Sequence, residues 1–245
     1  TPQSGKVIKE ENGPFGSTVW TLSNGVRVVI KPTDFKADQI MMRAFSPGGT
    51  SLFGTKEALQ VKMLNNIIGV GGLGNFSNVE LEKVLAGKKA NVNSFVNSLN
   101  EGLSGSCSPK DMETMLQLTY LSFTAPRMDM DAFESFKNRT KAELANQEAN
   151  PMTALSDSLQ HALYGNHPLA MRVKADMVDL IDYNRIMEMY KNRFMDAGDF
   201  TFLFVGNINP DEAKPMIETY LGGLPTIQRK ENFADIKMDF RKGEY

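Results

Sequence analysis

The chain has 245 residues, 41% hydrophobic and 23% charged, with 27 basic against 29 acidic side chains and a net charge of −2. That length supports one large domain or two small ones with a sizeable core. The near-neutral balance leaves no broad basic field for nucleic acid, and no apolar run approaches the ~20 residues of a membrane-spanning helix.

The opening stretch, TPQSGKVIKEENGPFG, is polar, lacks an initiator Met and holds no apolar signal-peptide core. It reads as residues 1–16 of an extension, from a processed or excised chain. Residues 19–32, VWTLSNGVRVVIKP, alternate around Asn24-Gly25, the strongest short hairpin signal, and predict two strands. QIMMRAFS, 39–46, predicts a third, stopped by Pro47-Gly48-Gly49.

Lys56 to Ile68 carries apolar residues at helical spacing, and Ser77 with Glu80 forms a capping box for the next helix. Between them stands GVGGLG, 69–74, with the Gly-x-Gly-x-x-Gly spacing of a dinucleotide loop. Such a loop must follow a buried strand, so that pyrophosphate lies over the next helix N-terminus. A loop between two helices fails that condition, and the glycines read as a helix stop and turn.

ANVNSFVNS, 90–98, and LSGSCS after it predict another strand pair. Cys107, the only cysteine, excludes an internal disulfide and a cysteine-based zinc site. It fits a cytosol or a periplasm and reads as a small buried hydrophobe. Helices follow over 110–123, 131–146 and from Pro151 to about Tyr164, then a loop, LYGNHPL. Residues 175–194 read as helical with Asp182 as an internal cap. FTFLFVG, 200–206, is a buried strand, and a turn, a helix and a Gly-Gly stop close the series, with Pro215 placed near that helix's first turn. The partial segregation of strands and helices makes the class α+β. The domain reads as 17–226, and 227–245 as a linker and the start of a following domain, whose closing DFRKGEY looks cut.

No catalytic constellation stands out from residue types alone. Fifteen methionines read as core filler. Asp129 and Asp131 read as helix N-terminal charge, without the glycine and distal Glu of a calcium loop. His161 and His167 are too far apart to share one helix face, which needs a spacing of three or four. Ser104-Gly105-Ser106 lacks the nucleophile elbow.

Four segments taken together, LSNGVRVVIKPT, PGGTS, LYGNHPLA and VGNINPDEAKPMIETYLGGLP, resemble in order and spacing the M16 (pitrilysin/insulinase) family of zinc peptidases. The resemblance covers about residues 17–226. It implies the mitochondrial-processing-peptidase-like metallohydrolase fold, a six-stranded, mostly antiparallel sheet with helices packed on it. Active members bind zinc through His-x-x-Glu-His on a helix and a Glu on a later helix. With the glycine that follows that motif set at Gly71, the motif positions hold Lys62, Asn65 and Asn66, while the distal Glu position holds Glu143.

Both histidines and the catalytic Glu are therefore absent, and Glu143 alone reads as a solvated helix residue. The resemblance implies the first domain of a non-catalytic half. This chain would hold no cofactor, with zinc in the catalytic half of the parent endopeptidase. It also implies peptide held on an edge strand at Val92, Asn93, Ser94, Phe95, Val96 and Asn97, with Asn93 as the place where a proline would disrupt it. Partners would be a catalytic M16 half, in the same chain or another, and a peptide substrate, with no nucleic acid and no membrane span. Alternatives are a separate non-catalytic subunit, a structural core-protein-like member, or a metalloenzyme using Glu143, His161 or His167. By analogy with exported two-half members, a periplasmic or exported location is expected.

Overall fold

A computed structural model describes residues 2–243. Seven strands form one mixed sheet: β1 Val7–Asn12, β2 Thr18–Leu22, β3 Arg27–Pro32, β4 Ile40–Pro47, β5 Ala90–Val96, β6 Asn100–Cys107 and β7 Thr201–Gly206. Their spatial order is β1-β2-β3-β7-β4-β6-β5. Every neighbouring pair is antiparallel except β3 with β7. Seven α-helices accompany it: α1 Ala58–Ile67, α2 Asn78–Val84, α3 Met112–Thr124, α4 Met130–Glu148, α5 Pro151–Tyr164, α6 Tyr183–Phe194 and α7 Pro210–Tyr220.

The α+β class holds, with seven strands in place of six. The added strand is β1, inside what the sequence offered as a 1–16 extension. VIKEEN is almost wholly exposed, so it carries no apolar alternation, yet it pairs along β2. Thr1, Glu244 and Tyr245, which fall in the expected extension and linker, lie outside the described residues.

One sheet face is buried under the helices. Val28, Ile30, Met42, Ala44, Leu103, Phe202 and Phe204 alternate inward and pack with Leu64 and Ile67 of α1, Met115 of α3 and Ile186 of α6 in one core. Their period of two in strands and about 3.6 in helices is what made the elements legible. The Asn24-Gly25 turn also reaches the far end of the chain: Gly25 takes φ +91°, and the Asn24 amide donates to the carbonyls of Leu221 and Leu224 after α7.

Two sequence readings need correction. Residues 175–194 are not one helix: Ala175–Leu180 is a 3₁₀ segment, and Asp182 is the N-cap of α6, accepting from Arg185 N–H. Pro215 lies in the second turn of α7, and Pro210 holds its first position instead. The start of the 227–245 segment is hydrogen-bonded to the domain: the buried Asp196 carboxylate accepts from the Thr226 hydroxyl and from the Ile227 and Arg229 N–H groups. Ser77 and Glu80 do form a complete capping box.

The GVGGLG loop runs from α1 to α2. Its carbonyls are turned to donors of the protein: Asn78 Nδ2 to Gly69 and Val70, and Arg127 Nη1 to Gly71 at 2.6 Å. A phosphate cradle needs free outward N–H groups, and here the N–H groups of Val70, Gly72, Leu73 and Gly74 donate to the carbonyls of Ile67, Gly69, Phe76 and Ala125. Gly71 is required by closeness, since a Cβ there would sit 2.1 Å from the Arg127 carbonyl oxygen.

The PGGTS segment is a clasp on the β5–β6 turn. Gly48 N–H donates to Leu99 O, Thr50 N–H to Asn97 O and Ser51 N–H to Ser98 O, while Gly49 N–H donates to Glu101 Oε2 at 2.6 Å. Glu101 is buried beside Arg193, whose Nη1 lies 3.8 Å from Glu101 and 2.8 Å from Glu231. Burial pushes the Glu101 carboxyl up to about 7, against the pull of Gly49 N–H and Arg193, with Asp199 and Glu231 adding to the rise.

Two outcomes follow. Gly71→Ala is expected to destabilise the fold by about 2 kcal/mol through overpacking against Arg127, read as a lower urea midpoint at unchanged slope. Because the folded protein holds the Glu101 proton more tightly than the unfolded chain, its contribution is complete below pH 4.5 and fades as pH rises through about 7. Glu101→Gln should therefore flatten the stability profile between those values by roughly 3 kcal/mol, measured by denaturation across the range.

Candidate functional site

Lys62 and Asn65 project from one face of α1, three residues apart, toward the end of β5. Lys62 Nζ donates to the Leu169 carbonyl at 2.8 Å, in the LYGNHPL loop, and partial burial lowers its pKa. Asn65 does more. Its Nδ2 donates to Val96 O at 2.9 Å, and its Oδ1 accepts from Val96 N–H at 2.8 Å. One carboxamide thus engages both backbone groups of a single strand residue. Asn66 is exposed on the same helix.

β5 is an outer strand of the sheet. Its register with β6 is flanked by Ser108 N–H to Lys89 O and Asn97 N–H to Asn100 O. In an antiparallel ladder hydrogen-bonded and open pairs alternate. Asn91, Asn93 and Phe95 therefore bond inward to β6, and Val92, Ser94 and Val96 turn their N–H and C=O outward. The outward groups of Val92 and Ser94 have no partner among the described residues. Asn93 is thus the wrong position for a proline that would test this edge, because its N–H belongs to the sheet. Asn97 lies just past the strand, in the turn held by PGGTS.

A cavity of about 310 Å³ opens along this edge between β5 and the α1–α2 loop, lined by Ile68, Leu73, Leu81, Val92 and Ser94 among others. Its floor is ordered. Tyr190 O–H donates to Ser122 O at 2.7 Å, so the Ser94 hydroxyl, 2.9 Å away, donates to Tyr190. Burial raises the Tyr190 pKa, and the phenol stays neutral. A second cavity of about 350 Å³ lies beyond Asn65, bounded by Lys62, Asn97, Ile236 and Met238.

These residues do not fit a zinc ion. Lys62, Asn65 and Asn66 offer a cationic amine already bonded to a carbonyl and two amides, one of them committed to Val96, where zinc requires imidazole, thiolate or carboxylate. Among the described residues no three His, Cys, Asp or Glu side chains gather as a metal site. Glu143 is exposed on α4 and lines neither cavity. His161 stands exposed in the last turn of α5, and His167 sits in the following loop with a buried, unbonded Nδ1. Asp129 caps α4 through Ala132 N–H, as its helix N-terminal reading required. Cys107 is buried and its thiol is pushed up to about 12 by burial, which makes it inert.

Sequence reasoning missed the Asn65 clamp and the Ser94–Tyr190 pair. The available signal was two adjacent amides, Asn65 and Asn66, in a helix whose other face is apolar.

Comparison with known proteins places these features. No protein-family model matches the chain. It is 28% identical over 226 residues to the zinc protease PQQL-like of Arabidopsis thaliana, an alignment covering 91% of this chain and 21% of that protein. The periplasmic protease PqqL of Escherichia coli shares its fold at a TM-score of 0.81, with 20% identity over 96% of this chain and 26% of that one. An inactive M16 peptidase domain from Pseudomonas fluorescens matches at 0.66, with 19% identity, covering 89% of this chain and 54% of its own. The chain spans about a fifth to a quarter of the curated relatives it matches. By sequence the chain is related to proteins described as zinc proteases, and it shares the fold of M16 peptidase structures.

Proposed function

We propose that this chain is a non-catalytic domain of a zinc-dependent M16 endopeptidase, forming chamber wall and peptide cradle for chemistry performed in a catalytic half. The observation that carries the reading is the fate of the motif positions. Lys62 and Asn65 are used to pin α1 to the LYGNHPL loop and to β5, leaving no metal ligand and no base to activate water. The outward backbone groups of Val92 and Ser94, beside a partly apolar cavity, suit an extended peptide added as a strand. The relatives are long proteins of which this chain matches a fraction, which favours a catalytic half in the same chain over a separate subunit or a structural core-protein-like role. The E. coli relative is described as periplasmic, and we place this protein there by kinship. No helix among the described residues is long and apolar enough to cross a membrane.

After dialysis the chain is expected to retain below about 0.1 zinc per molecule and to cleave no peptide, measured by metal analysis and a fluorogenic peptide assay. Stoichiometric zinc with cleavage would overturn the non-catalytic reading. In the longer protein, Val92→Pro removes an outward N–H from the cradle. It is expected to lower kcat/KM for peptide about tenfold with the fold retained by circular dichroism. Unchanged kcat/KM would leave β5 as wall alone.

A further inference from the structure

The Asn65 carboxamide is a planar amide carrying one donor and one acceptor side by side. That is what a residue of a neighbouring strand presents to an antiparallel partner. It meets Val96 on the side where an added strand would lie, with both bonds at ordinary length. The next outward residues along β5, Ser94 and Val92, have no such partner among the described residues. Val96 is also the last residue of β5, and the PGGTS clasp closes the turn directly beyond it.

We infer that Asn65 is the stop of the cradle: it stands in for one strand residue at Val96, so that an extended peptide pairs with β5 at Val92 and Ser94 and ends there. The inference rests on the peptide-cradle reading above and adds to it a register and a length. A peptide reaching Val96 must replace two made hydrogen bonds with two equivalent ones and return the Asn65 amide to water, so it gains little by advancing. At Val92 and Ser94 the exchange is only with water. A strand carries its outward groups on every second residue, so the free run accepts a short segment of about three or four peptide residues.

The side-chain pocket follows from the same geometry. The cavity flanking Val92 and Ser94 is walled by Ile68, Leu73 and Leu81, and its polar floor, Ser94 to Tyr190 to Ser122, is satisfied internally. It therefore takes one uncharged, medium-sized apolar side chain of the docked segment, because no charged side chain lines it to pair with an ion. A position that serves catalysis in active relatives acts here as a ruler for backbone pairing.

The test uses the full 245-residue chain, isotope-labelled, with backbone amide signals read one by one. The probe is an unlabelled ten-residue peptide of alternating Thr and Val with a lysine at each end. In the wild type, peptide is expected to shift the Val92 and Ser94 amides and leave Val96 in place. In Asn65→Ala, at an exposed helical site where alanine is well tolerated, the Val96 amide should exchange with solvent about tenfold faster without peptide. Added peptide should then shift Val96 as well and bind about threefold to tenfold tighter. Asn65→Asp keeps an acceptor for Val96 N–H and frees only the carbonyl, so it should fall between the two.

A Val96 shift in the wild type equal to that of Ser94 would overturn the stop while leaving the edge as the binding site. Val96 exchange unchanged in Asn65→Ala would show that the clamp does not hold in solution and would also overturn it. Absence of shifts along β5 in both proteins would remove the cradle reading, and the stop with it.

Discussion

The sheet depends on β7. Thr201–Gly206 comes late in the chain and inserts between β3 and β4, parallel to one and antiparallel to the other. Without it the N-terminal strands β1–β3 and the set β4, β6 and β5 share no edge. Phe202 holds the insertion by packing with Phe123 and Phe200, which also meet Phe194, in a cluster of edge-on and tilted rings, and Phe204 is buried in the same core. Burying each phenylalanine contributes on the order of 2–3 kcal/mol, and the ring geometry adds to that. The cost is topological, since β7 lies 174 residues beyond its partner β3 and both must meet before the core closes.

Placing β7 at the centre leaves β1 and β5 as the two outer strands, and the chain treats them differently. β1 carries Lys9, Glu10 and Glu11, charges that discourage further strand pairing. β5 is rich in asparagine and serine, and its outward side faces a groove under the α1–α2 loop. There α1 contributes Lys62 and Asn65, both bonded to backbone, and these side chains fasten a helix to a loop and to a strand.

The same economy holds at the C-terminal side. Asp196 gathers the hydroxyl of Thr226 and the N–H groups of Ile227 and Arg229, and Arg193 meets both Glu101 and Glu231. The segment leaving the domain is thus tied to the residue that anchors the PGGTS clasp. The groove's boundary and the exit of the chain share one buried charge cluster. Its carboxylates are close enough that burial keeps one of them, Glu101, near neutrality.

Periodicity and turn chemistry made most of the elements readable in advance. The Asn24-Gly25 hairpin, the Ser77–Glu80 capping box, the apolar alternation of β4 and β7 and the helical stripe of α1 are local patterns, and each specified its own element. The context of GVGGLG, helix before and helix after, was enough to set aside a nucleotide loop. The resemblance to M16 peptidases could be read from the order of short segments. What local pattern could not carry was anything decided by partners distant in the chain. β1 has no apolar period because its pairing is backbone hydrogen bonding at an exposed edge, which any side chain permits. The break at Ile181 puts a buried, extended residue directly before the Asp182 cap of α6. The Asn65 clamp depends on bringing residues 65 and 96 together, and the alternate facing of Val92 and Asn93 depends on the β5–β6 register. Sequence specified the elements through side-chain periodicity; tertiary structure alone decided which backbone groups are spent and which remain free, because hydrogen-bond partners across a sheet are chosen by register and leave no trace in composition.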